Sequence, residues 1–113
     1  FYDVVYLTFG DTFNRYVGLN FYSKCLRYLN LGDSFNSDIE LYGVPNLAVL
    51  IIGDSFNRVV DERSFPESLA YLEIGKSFNR KLSRDVLPKN LESLSAVSAV
   101  MLLLPFKISE IRV

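Results

Sequence analysis

The sequence contains no histidine. That removes the commonest general base and the commonest metal ligand from any catalytic or metal-site reading. There is a single cysteine, Cys25, so no disulfide can form within the chain. The expectation for Cys25 is a buried small hydrophobe in a reducing compartment. Tryptophan is also absent, and the aromatic area comes from seven tyrosines and nine phenylalanines. Neither charge is in excess. A net charge of −1 gives no basic footprint for nucleic acid and no polybasic patch for a membrane. The longest apolar run, Ala99 to Leu104, falls far short of the ~20 residues a membrane span needs, and reads as core or a buried end. No basic stretch precedes an apolar one at the start, so no signal peptide is expected and the expected location is cytoplasmic.

What the chain does have is repetition, which is best sought first. Four segments align: Tyr6-Leu7-Thr8-Phe9-Gly10-Asp11-Thr12-Phe13-Asn14, Tyr28-Leu29-Asn30-Leu31-Gly32-Asp33-Ser34-Phe35-Asn36, Val49-Leu50-Ile51-Ile52-Gly53-Asp54-Ser55-Phe56-Asn57 and Tyr71-Leu72-Glu73-Ile74-Gly75-Lys76-Ser77-Phe78-Asn79. Their glycines fall at 10, 32, 53 and 75, giving spacings of 22, 21 and 22. An apolar residue stands three places before each strand leucine (Val4, Leu26, Leu47, Leu69). Another stands three places after each asparagine (Val17, Ile39, Val60, Leu82). Pro45, Pro66 and Pro88 open the later approaches. A degenerate fifth unit starts in register with Leu91, Leu94 and Ala96, then loses the glycine and the Phe-Asn pair. A partial sixth start follows with Pro105, Ile108, Ile111 and Val113.

The strand portion reads L-x-x-L-x-[FLI], whose last two apolar positions alternate with period two. One such strand per unit is the leucine-rich-repeat pattern. The expected fold over residues 1–113 is therefore a leucine-rich-repeat-like solenoid. It has one short parallel β-strand per ~22-residue coil, an irregular or 3-10 convex side, and little α-helix. Each column has an expected mechanical role. Glycine lets the chain turn where a side chain would clash or φ must be positive. Thr12, Ser34, Ser55 and Ser77 are expected to bond turn backbone. Phe13, Phe35, Phe56 and Phe78 are expected to point inward and stack coil upon coil. Asn14, Asn36, Asn57 and Asn79 are expected to satisfy turn groups without a ladder partner.

The full pattern L-x-x-L-x-[FLI]-G-x-[ST]-F-N-x-x-[VIL] resembles the FNIP repeat, a leucine-rich-repeat relative typical of social amoebae and of giant viruses that infect them. No copy here has proline after Phe-Asn. The resemblance implies an interaction module. Such arrays occur alone, behind an F-box, or beside signalling domains such as kinases, and none of those is present in these residues. Fold alone does not assign function.

Two columns are expected to face out from the sheet: Tyr6, Tyr28, Val49, Tyr71, Ser93, and Thr8, Asn30, Ile51, Glu73, Ser95. Tyr6, Tyr28, Tyr71, Thr8, Asn30 and Glu73 are the candidate partner-binding residues, because tyrosine offers rigid apolar area with a polar tip. The alternative role for the tyrosines is packing between neighbouring strands. Asp11, Asp33 and Asp54, followed by Lys76, form a turn column read as a solvated edge compensated by Arg15, Arg58 and Arg80. The Gly-Asp-Ser segments repeat at coil spacing and so read as turns, and no histidine is present to activate a serine. No enzyme activity, cofactor or metal is expected. The expected function is a protein–protein interaction scaffold, with substrate recognition in a larger protein one form of it. The alternative is a structural spacer or regulatory array attached to a signalling domain. The partner is an unidentified protein, not nucleic acid or membrane. Phe1 runs almost directly into a strand without a cap, so end-to-end self-association is also expected.

Overall fold

The computed structural model describes residues 4–18 and 24–96. The sixth start and the end of the fifth unit lie outside these residues. Five strands appear in chain order: β1 Tyr6–Thr8, β2 Tyr28–Asn30, β3 Val49–Ile52, β4 Tyr71–Ile74 and β5 Ser93–Ser95. They form one sheet in the order β1-β2-β3-β4-β5, and every pair is parallel. The register follows the sequence alignment: Tyr6 opposite Tyr28, Tyr28 opposite Val49, Val49 opposite Tyr71 and Tyr71 opposite Ser93. The segments that join β2 to β3, β3 to β4 and β4 to β5 each cross the back and return one strand further along. The result is a leucine-rich-repeat-like solenoid, and among the described residues its back consists of turns, bends and an isolated parallel bridge between Val17 and Ile39, with no helix.

Each coil joins its predecessor at the start of the strand in the same way. Two successive amides donate to one carbonyl: Arg27 and Tyr28 to Val5 O (2.9 and 3.1 Å), Ala48 and Val49 to Arg27 O (2.8 and 3.0 Å), Ala70 and Tyr71 to Ala48 O (2.9 and 3.0 Å). Glu92 and Ser93 repeat it on Ala70 O (2.8 and 3.1 Å). After this step the strand alternates strictly. Leu29, Leu50 and Leu72 turn inward and are fully buried, while their neighbours on either side remain half-exposed.

The core is a set of stacked columns. Leu26, Leu47, Leu69 and Leu91 line one side; Leu31, Ile52 and Ile74 follow the strand leucines; Val17, Ile39, Val60 and Leu82 close the far wall. Between them runs the phenylalanine column. Ring centroids are 6.0 Å apart from Phe13 to Phe35, 5.9 Å from Phe35 to Phe56 and 5.8 Å from Phe56 to Phe78, with near-parallel planes. The coil repeat thus places each ring within stacking range of the next.

The glycine column is required mainly by close approach. A Cβ on Gly53 would lie 2.5 Å from Asp33 Cα, and one on Gly75 would lie 2.5 Å from Asp54 Cα. Among the described residues Gly32 alone has a positive φ, 82°. At Gly32, Gly53 and Gly75 the chain therefore turns out of the strand against the backbone of the previous coil, and a side chain there would force the coils apart, whereas Gly10 in the first coil meets open space.

Three expectations are corrected. Cys25 is exposed, not buried, because Leu26 beside it takes the inward position. The hydroxyls of Thr12, Ser34, Ser55 and Ser77 are exposed and make no hydrogen bond among the described residues. The main-chain amides do that work: Ser55 N donates to Asp33 O and Ser77 N to Asp54 O. Arg58 does not compensate the turn aspartates. It pairs with Asp38 at 3.1 Å, while Arg80 Nε donates to Asn57 O.

Candidate interaction surface

The asparagine column forms a ladder between coils. Asn36 N donates to Asn14 Oδ1 (2.8 Å), Asn57 N to Asn36 Oδ1 (2.9 Å) and Asn79 N to Asn57 Oδ1 (2.9 Å). Each side chain thus satisfies a main-chain donor one coil further on, which no residue lacking a side-chain acceptor can do. The Gly, Phe and Asn columns are therefore committed to the scaffold, which leaves the outward columns of the sheet as the variable surface.

The sheet brings Tyr6, Tyr28 and Tyr71 into one column and Thr8, Asn30 and Glu73 into the next. The tyrosines are not one continuous stack, because Val49 stands between Tyr28 and Tyr71. Tyr6 is 74% exposed, and its ring centroid lies 5.6 Å from that of Tyr28. Tyr28, Val49, Ile51 and Tyr71 are half-exposed. Asn30 turns its Oδ1 to its own turn, accepting from Gly32 N at 3.0 Å. Tyr71 Oη donates to Glu73 Oε1 at 2.8 Å. That hydrogen bond to a carboxylate, helped by burial and by the Glu73 charge, raises the Tyr71 phenol above its ordinary 10.0. On the back, Tyr16 does the same with Glu40 (2.9 Å) and is raised for the same leading reason.

The face thus mixes aromatic and aliphatic side chains with Thr8, Asn30, Ser93 and Ser95, and its carboxylate, Glu73, is held in place by a tyrosine. The turn aspartates at its edge are exposed, and Asp54 Oδ1 accepts from Lys76 N at 3.2 Å. Among the described residues no three acidic or sulfur side chains are placed to hold a metal ion, and no helix is long and apolar enough to cross a membrane. The outward-column reading passed over one feature of the back, a cleft of about 450 Å³ lined by Tyr42, Gly43, Val44, Pro45, Glu62, Phe65, Glu67 and Ser68. Its sequence signal is the one short spacing of 21 between Gly32 and Gly53.

The family model of the FNIP repeat matches residues 56–95. The match starts on Phe56-Asn57 and takes in the coil carrying β4 and the strand β5. The crystal structure of CroV588, described as a novel circular LRR protein, is similar to this chain, with a TM-score of 0.74 and 36% identity. CroV588 comes from a giant virus. The similarity covers 82% of this chain and 14% of CroV588, so the chain spans about one seventh of that protein's length. No curated protein matches the chain. Repeat and fold together are of a kind that commonly mediates protein interactions and is typically non-catalytic.

Proposed function

We propose that this FNIP array is a non-catalytic protein-recognition module and that its partner docks on the outward face of the sheet. The observation that carries the reading is the division of labour among columns. The inward and turn columns repeat because they build the stack. The outward columns change from coil to coil and place Tyr6, Tyr28, Val49, Ile51 and Tyr71 at the surface. Rigid aromatic area beside a fixed carboxylate suits a partner that buries apolar side chains there and meets Glu73 with a donor. We propose a cytoplasmic location, where an exposed thiol such as Cys25 stays reduced.

The test is capture of a partner by the whole chain carrying Tyr28→Ala and Tyr71→Ala, compared with Val59→Ala, whose side chain is exposed away from this column. The tyrosine variant should lose capture while its circular dichroism stays native, and the valine variant should keep it. Capture that survives loss of both tyrosines rejects the face.

A second reading has its own observation. The Tyr6–Tyr28 contact and the asparagine ladder link coil to coil without any outside partner, as a structural spacer or regulatory array requires. On that reading the isolated chain captures nothing. We also infer self-association through the first coil, where Leu7 and Phe13 are only partly buried although their counterparts in the next three coils are buried.

A further inference from the structure

The cleft on the back exists because one coil is a residue short. Coils three and four run Pro66-Glu67-Ser68-Leu69 and Pro88-Lys89-Asn90-Leu91, whereas coil two runs Pro45-Asn46-Leu47. The residue just before the leucine bonds back to the previous coil in all three; Asn46 and Asn90 use the same acceptor position, two residues before the core leucine, whereas Ser68 uses the core leucine itself. Asn46 Nδ2 donates to Lys24 O (2.6 Å), Ser68 Oγ to Leu47 O (2.7 Å) and Asn90 Nδ2 to Glu67 O (3.1 Å). The missing residue is therefore the counterpart of Glu67 and Lys89. Gly43 removes a second side chain from the same stretch of wall. Coil two is nevertheless held against coil three, with Leu41 N on Ser64 O at 3.2 Å and Tyr42 N on Arg63 O at 3.1 Å, so the gap does not collapse.

The gap has a definite chemistry. Its floor is Val44 and Phe65, both buried, and Tyr42 stands at its side, 46% exposed. Glu62 and Glu67 line it with exposed carboxylates that have no ion-pair partner among the described residues, and no basic side chain lines it. Arg63, the nearest cation in sequence, meets Tyr42 through its carbonyl and is not part of the lining. Its volume of about 450 Å³ lies within the ordinary range of ligand clefts. An apolar floor, an aromatic flank and unpaired carboxylates complement a cation on an aliphatic stem. Such a group lays its methylenes on apolar surface, holds its head among the carboxylates, and gains from the ring face.

We propose that this cleft is a binding site for a lysine or arginine side chain of a partner protein, seated where coil two lacks a residue. It is separate from the sheet face and does not depend on that reading.

The experiment is an amide-resolved NMR titration of the whole chain. The probes are Nα-acetyl-lysine methylamide, its arginine counterpart, the neutral norleucine counterpart, and spermidine. The two basic derivatives should give saturable shifts at Gly43, Glu62 and Ser68, and the norleucine derivative none. Glu62→Gln with Glu67→Gln should weaken binding about fivefold, the size expected for exposed charge pairs. A glutamate inserted between Pro45 and Asn46, which restores the 22-residue coil, should abolish it. If the insertion variant fails to fold, Tyr42→Ala supplies the second arm and should also weaken binding. The Tyr28→Ala, Tyr71→Ala variant should bind as the parent does. No localised shift, equal binding of norleucine, or indifference to loss of both carboxylates overturns the proposal. Binding of spermidine without binding of the lysine derivative overturns the protein side chain as the source.

Discussion

At the scale of single residues, position within the coil decides what a substitution costs. Phe56 is fully buried between two stacked rings, so Phe56→Ala should cost about 3–5 kcal/mol in urea unfolding. Phe13→Ala should cost clearly less, because Phe13 is only partly buried. The glycines divide in the same way. Gly53→Ala drives a Cβ onto the Asp33 backbone and should destabilise by about 1–3 kcal/mol, the usual scale of overpacking. Gly10→Ala meets open space and should be close to neutral. Tyr71 gives a pH test. Its phenol donates to Glu73 in the folded state, so its folded pKa is raised and the contribution is fully present below the unfolded value of 10.0. It is lost as pH rises through the higher folded value. Absorbance titration should show Tyr71 ionising late, and Glu73→Gln should bring it back toward 10.0.

At the scale of the coil, the asparagine ladder is the device most open to test. Asn57→Ala leaves Asn79 N without its acceptor and should cost about 1 kcal/mol, while Asn57→Asp keeps an acceptor oxygen and should recover most of it. The coil was the most legible part of the sequence. Leu29, Leu50, Leu72 and the phenylalanines recur at inward positions because every coil must fill the same cross-section, so spacing alone gave columns and register. The direction of the ladder was not legible, because an asparagine can serve its own turn, as Asn30 does, or the next coil, as Asn57 does. Cys25 misled for a related reason: its hydrophobic character suggested burial, but Leu26 held the inward slot. The pairing of Arg58 with Asp38 depends on which side chains the back of the coil brings together, and column spacing does not encode that. The 21-residue spacing was visible, but a cleft follows from it only once hydrogen bonds show that neighbouring coils stay in register around the gap.

At the scale of the whole molecule, the repeated columns hold the stack and the columns that change from coil to coil lie at the sheet surface, where we propose that recognition occurs. The partly covered first coil should show itself as concentration-dependent association in sedimentation velocity, and Tyr6→Lys at that edge should reduce it. The outward residues were legible as a column, but exposure tells where contact is possible and not what makes it. Partner contact is most directly read by a photo-reactive phenylalanine placed singly at Tyr28, Tyr71 or Val59 of the whole chain and irradiated in cell extract. The account predicts a discrete cross-linked partner from positions 28 and 71 and none from 59. A cross-link from 59 alone, or none from 28 and 71 when the parent chain captures a partner, contradicts it.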